Sequence, residues 1–174
     1  MIIIRHATLE DAALLAQISA ETFFDAFAAD NTPENISFYV SSAFSPEIQA
    51  NELADPASIF LIAEIDGEAT GYARLKEGNA NPDVPGSRPV ELVRFYARTR
   101  WIGKGVGPAL MQKCLEQASQ QGYDMIWLGV WERNPRAIAF YQKWGFVQVG
   151  THIFQMGDEP QMDWVMQRKI EAIV

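Results

Sequence analysis

Three glycines at alternate positions, Gly103, Gly105 and Gly107, stand between a strand-like and a helix-like stretch, and this junction restricts the fold more than any other segment. Residues Glu91 to Ala97 alternate and are rich in Val, Phe and Tyr, the pattern of a part-buried strand. After Gly107 the apolar residues Leu110, Met111, Cys114, Leu115 and Ala118 recur at helical spacing. Glycine turns sharply at little steric cost and lets a ligand come close to the backbone. The start of a helix adds unpaired N–H groups and the positive end of a dipole, which together favour an anion. Arg94, Arg98, Arg100 and Lys104 precede the helix, and no acid falls between Glu91 and Glu116. The stretch reads as a seat for a pyrophosphate.

The flanking sequence supplies the rest of one α/β domain spanning 1–174. Ile2 to Ile4 is a short strand, and Thr8 with Asp11 opens a helix whose inner side carries Leu14, Leu15, Ile18, Thr22 and Phe23. Thr32-Pro33 and Ser45-Pro46 start two further helices, cap first and proline next. Asp66-Gly67 joins strands at 59–65 and 68–75 as a two-residue hairpin. Glu77 to Arg88 reads as an exposed loop, and the glycine stretch follows. Met125 to Trp131 is a buried-type strand, and Asn134-Pro135 restarts a helix that stops at Gly145. Phe146 to Phe154 and Asp163 to Lys169 form a last pair of strands around a loop at 155–161. The order β-α-α-α-β-β-β-α-β-α-β-β predicts a mixed sheet of six or seven strands flanked by helices.

Composition narrows the chemistry. A single cysteine, Cys114, excludes an internal disulfide, and its place on the apolar side of a helix makes it a core thiol. With only His6 and His152, a histidine-based metal site is not expected. The N-terminus carries no long apolar run, so neither a signal peptide nor a membrane span is expected, and the reading is cytoplasmic. The net charge of −8 argues against nucleic acid. That charge is uneven: residues 1–70 hold twelve acids and one base (−11), leaving +3 for 71–174. Either the acids solvate helix faces, or an acidic wall receives a cationic substrate beside an anionic cofactor.

The loop itself discriminates between anion sites. It does not supply G-x-x-x-x-G-K-[ST], and its G-x-G-x-G spacing, with no acid at the expected distance at the end of the next strand, does not fit a dinucleotide fingerprint. Ile102-Gly103-Lys104-Gly105-Val106-Gly107 after a strand and before a helix instead resembles the Q/R-x-x-G-x-G/A loop of the GNAT superfamily of N-acetyltransferases. The block Asn134 to Phe146, N-P-R-A-I-A-F-Y-Q-K-W-G-F, resembles the same family's N-x-x-A-x-x-F-Y-x-x-x-G-F signature. Ile102 departs from the pattern, occupying the usual Gln/Arg position. Pro33-Glu34-Asn35, Ser42-Ala43-Phe44, Ile126 to Glu132 and Met156 to Glu159 extend the likeness to the bacterial Pai-type spermidine/spermine N-acetyltransferases.

The resemblance implies the GNAT fold, acetyl-CoA as cofactor, and transfer to a primary amine of a small, cationic molecule, a polyamine first, by direct attack in a ternary complex. Acetylation of a protein N-terminus or lysine is the near alternative, and a non-catalytic CoA-binding regulator the distant one. A homodimer is implied by family habit alone. The cofactor set implied is Ile102, Gly103, Lys104, Gly105, Val106, Gly107 and Pro108 at the phosphates, with Asn134 and the backbone of Phe95, Tyr96 and Ala97 along the pantetheine arm.

A free amine of lysine type has a pKa near 10.4, so its neutral form costs roughly 4–5 kcal/mol at pH 7, and a base is useful. Glu91 is the first candidate, with a surface acid or a salt bridge to Arg94 as the plain reading. Glu132 is second. Glu21 and Asp25, one helical turn apart, are a third choice or a seat for a distal ammonium. Trp131 is either core or an acceptor-lining ring suited to cation–π contact. The resemblance makes Tyr141 the proton donor to the departing sulfur, against a plain core aromatic. Asn134 is also an N-cap.

Overall fold

Tight turns and one obligatory crossover determine the layout. The computed structural model describes residues 1–172. Its strands are β1 (Ile2–His6), β2 (Ser58–Ile65), β3 (Glu68–Glu77), β4 (Pro89–Ala97), β5 (Met125–Trp131), β6 (Val147–Met156) and β7 (Glu159–Lys169). They form one sheet in the order β1-β2-β3-β4-β5-β7-β6. Asp66 and Gly67, both at positive φ (51° and 78°), close the β2–β3 hairpin as their sequence predicts. Only β4 and β5 are parallel, because a helix intervenes between them.

That helix is α4 (Val106–Gln120), which with α5 (Pro135–Lys143) lies on one face. There Leu110, Met111 and Cys114 pack against Leu75, Leu92, Ile126 and Leu128 in the main core. The other face carries α1 (Ala12–Phe27), α2 (Pro33–Ala43) and α3 (Pro46–Ala54). Leu15 and Ile18 pack there on Tyr72, and Phe23 joins Phe44 and Met156 in a separate cluster. Thr32, Ser45 and Asn134 cap their helices as expected, each side-chain oxygen accepting a backbone N–H at 3.2 Å.

Two departures shape the site. Leu75 opposes Leu92 and Arg74 opposes Arg94, so Val93 bulges without a partner. Leu92 and Phe95, three apart, therefore both pack toward α4, while Arg94 and Tyr96 turn toward the α1–α3 face. The expected loop at 155–161 shrinks to a turn at Gly157 and Asp158, since Gly157 at φ 62° lets the strands run on to Met156 and from Glu159. Asn35 Nδ2 donates to Asp158 at 2.8 Å, tying that turn to the start of α2.

Candidate active site

β4 and β5 pair at only three positions, Pro89–Met125, Val90–Ile126 and Glu91–Trp127. Beyond them residues 92–97, apart from the bulged Val93, remain paired with β3 and residues 128–131 with β7, but not with each other. A wedge opens in the middle of the sheet. Its two edges expose backbone N–H and C=O groups that a strand-like ligand can pair with. Phe95, Tyr96 and Ala97 all lie on the β4 edge.

The glycine loop stands at the mouth of this wedge. Gly103 and Gly105 sit at φ 79° and 88°, and Gly105 is the left-handed residue from which α4 departs. The amides of Gly103, Gly105, Val106 and Gly107 donate to nothing among the described residues, as is usual for the first N–H groups of a helix, which suit an anion. Ile102 and Lys104 differ: their amides donate to Thr99 and Trp101 carbonyls, both at 3.2 Å, and Pro108 has no N–H. Of the seven residues 102–108, four therefore present amides with no acceptor among the described residues. The Ile102 side chain, 38 % exposed, offers only apolar contact.

The expected cluster of four cations also contracts. The bulge sends Arg94 to the far face, where it makes a bidentate contact with Glu52 (2.7 and 2.9 Å) under the Phe44 ring. Arg98 pairs with Glu21 at 3.3 Å and with Glu68 at 3.4 Å, and Arg100 also binds Glu68. Lys104 forms no ion pair among the described residues and rests 5.1 Å from the Trp101 ring centre. Three of the twelve acids of the first 70 residues, Glu21, Glu52 and Glu68, are engaged by these arginines.

Tyr141 lies on the α4–α5 side of the wedge, 8 % exposed, its ring edge-on to Phe95 with centroids 6.1 Å apart. Its hydroxyl makes no hydrogen bond among the described residues. Burial, with the Cys114 thiol nearby, holds the phenol well above its ordinary pKa and keeps it protonated. The same burial raises Cys114, leaving it inert.

Glu91 faces the opposite side. It is the last β4 residue paired with β5, interior to the strand rather than at its start, and one carboxylate oxygen accepts from Asn79 Nδ2. The loop at 78–88 is therefore not a free excursion: Val84 is buried against Trp127. Arg94 pairs with Glu52, so the Glu91–Arg94 salt bridge, one of the two plain readings of Glu91, does not form among the described residues.

The remaining candidates separate. Glu21 holds Arg98, and Asp25 accepts from Thr99 Oγ1 at 2.8 Å, so both serve the hinge before the glycine loop. Trp131 packs on Phe27 with centroids 5.6 Å apart, and Glu132 is exposed just beyond it. Asn134 is the α5 cap. Sequence reasoning did not single out His152 and Asp163, which face each other on β6 and β7. Their register, fixed by a hairpin, is the only signal that joins them.

Among the described residues no cluster of His, Cys, Asp or Glu fits a metal, and no helix is long and apolar enough to cross a membrane. Residues 15–146 match the family model described as "Acetyltransferase (GNAT) family". An uncharacterised N-acetyltransferase of Mycobacterium bovis is 37% identical over 93% of this chain and 99% of its own length. A spermidine N(1)-acetyltransferase of Thermoplasma acidophilum is 25% identical over 97% of this chain and 98% of its own. The crystal structure of the PaiA N-acetyltransferase from Thermoplasma acidophilum in complex with coenzyme A superposes with a TM-score of 0.76 at 22% identity, covering 97% of this chain and 99% of that one.

Proposed function

Because this chain belongs to the acetyltransferase (GNAT) family, we propose that it transfers the acetyl group of acetyl-CoA to a primary amine of a small cationic molecule, with spermidine or spermine the leading acceptor. The observation that carries this reading is the wedge between β4 and β5, with the unused amides of Gly103, Gly105, Val106 and Gly107 at its mouth. Acetyl-CoA, when bound, supplies the activated acetyl group. The four amides and the α4 dipole hold its pyrophosphate. The open β4 edge at Phe95, Tyr96 and Ala97 pairs with the pantetheine arm, and one amide there polarises the thioester oxygen.

Tyr141 and Glu91 stand on opposite faces of the sheet, which divides the proton work. The protonated phenol gives its proton to the departing sulfur. The Glu91 charge, at the closed end of the wedge, favours loss of a proton from the amine, directly or through water. Trp131 and Glu132 receive the distal part of a cationic acceptor. Glu21 and Asp25 take part only by exchanging their present partners, Arg98 and Thr99. The Thermoplasma spermidine acetyltransferase supports the polyamine assignment.

CoA release measured with spermidine, spermine, a basic peptide and no acceptor tests this. Turnover with either polyamine is the expected result. Turnover with the peptide alone transfers the assignment to protein acetylation, and cofactor binding without turnover on any acceptor makes the chain a CoA-binding regulator.

A further inference from the structure

A histidine–aspartate pair stands beside the wedge on the α1–α3 face. His152 and Asp163 are register partners across β6 and β7, with Nε2 3.6 Å from Oδ2, an ion-pair contact longer than a tight hydrogen bond. Asp163 is a buried carboxylate whose only ion-pair partner among the described residues is His152, whereas the imidazole is about one-third exposed. A buried carboxylate aimed at an accessible imidazole fixes the ring's tautomer and orientation.

The ring's position depends on Gly129. A Cβ there would lie 2.7 Å from His152 Cε1 and 3.1 Å from Nε2, closer than such atoms pack, so any side chain at 129 would drive the imidazole away from β5. Gly129 is exposed and lies two residues past the last β4–β5 pair, on the open wall of the wedge. His152 thus borders the wedge where the β5 edge is bare.

The charges around the ring are consistent in sign. Asp163 on β7 and Glu91 on β4 both act to raise its pKa, Asp163 foremost. Tyr39 on α2 lies within electrostatic reach of Asp163, and Arg94 beyond it is neutralised by Glu52. Glu91 already accepts a hydrogen bond from Asn79, while imidazole is matched to proton transfer near neutrality.

We propose that His152, positioned by Asp163 over the side-chain-free Gly129, accepts the proton of the attacking amine. The proposal rests on the amine-acetylating reading above and assigns Glu91 the part of a neighbouring charge. With Asp163 on Nε2, the accepting nitrogen is Nδ1. As the N–C bond forms and the C–S bond breaks, the amine nitrogen releases one proton to His152 and the sulfur takes one from Tyr141. His152 then returns its proton to solvent, and Tyr141 regains one from it.

The full-length protein with acetyl-CoA and spermidine supplies the test. His152→Gln and His152→Ala lower kcat at least about 100-fold, within the range of a lost general base, with acetyl-CoA affinity unchanged and the fold retained by circular dichroism. Asp163→Asn lowers the midpoint at which the His152 ring proton titrates by NMR, and the acid limb of kcat follows it to lower pH. His6 is the one other histidine, so the resonance missing from His152→Gln identifies His152. A kcat within about threefold of wild type in His152→Gln overturns the proposal, as does an acid limb that ignores the NMR midpoint. A wild-type protein that acetylates none of spermidine, spermine and a basic peptide overturns the amine reading first, and the role of His152 with it.

Discussion

At the scale of single residues, chemistry depends on side chains whose burial sets their proton affinity. Tyr141 is enclosed by Phe95, Phe140 and Phe146, so its phenol stays protonated and ready to donate. Tyr141→Phe keeps the packing and removes the proton. It is expected to lower kcat at least about tenfold with little change in acetyl-CoA affinity, read by steady-state kinetics beside calorimetry. An unchanged kcat returns Tyr141 to the core. The His152–Asp163 pair carries a different, pH-linked signature. Its partner raises the folded-state pKa of His152 above the ordinary value of 6.5, so the contribution to stability is complete below that value and disappears as pH rises through the raised one. Urea unfolding at pH 5.5 and 8.5 should find Asp163→Asn less stable relative to wild type at the acid end, with the gap narrowing toward pH 8.5. An equal gap at both values would mean that the two groups are not coupled.

At the scale of elements, the glycine loop was legible because its signals are local. Alternation over Glu91 to Ala97, three glycines and helical spacing after them need no tertiary information, and α4 begins at Val106, two residues before the stretch after Gly107 where the pattern places it. The direction of the cations was not legible. Strand alternation puts Arg94 on the face of Leu92, but the bulge at Val93, set by β3 pairing, turns it to the other face and to Glu52. The pairing of His152 with Asp163 likewise depends on a hairpin register, with a second irregularity between Gln148 and Gly150, which composition does not reveal. The loop's own mechanics can be tested at Gly105. Its φ of 88° is left-handed, so Gly105→Ala costs about 1–2 kcal/mol or forces the α4 amides to turn. Acetyl-CoA affinity is expected to fall by roughly tenfold, the equivalent of about 1.4 kcal/mol, with the overall fold retained by circular dichroism. Unaltered affinity would place the pyrophosphate elsewhere.

At the scale of the molecule, the sheet is two ladders joined by a short seam. β1 to β4 form one antiparallel set, β5 to β7 the other, and the three pairs from Pro89–Met125 to Glu91–Trp127 are the ladder contact between them. The helices cover this seam without closing it, so the backbone of 92–97 and 128–131 retains exchangeable amides on the wedge side. A ligand that pairs with those edges completes the sheet and opposes every opening that separates its halves. At 100 times its dissociation constant it stabilises the bound state by about 2.7 kcal/mol, roughly a 100-fold slowing of exchange through any opening that releases it. Hydrogen exchange with and without acetyl-CoA should therefore show strong protection at 92–97, 103–107 and 128–131, and little change in the distal β1–β2 pair. Protection confined to the glycine loop would mean that only the phosphates engage this chain. Protection at α1 and α2 without 92–97 would exclude the wedge as the seat of the pantetheine arm, and with it the division of proton work between Tyr141 on one face and His152 on the other.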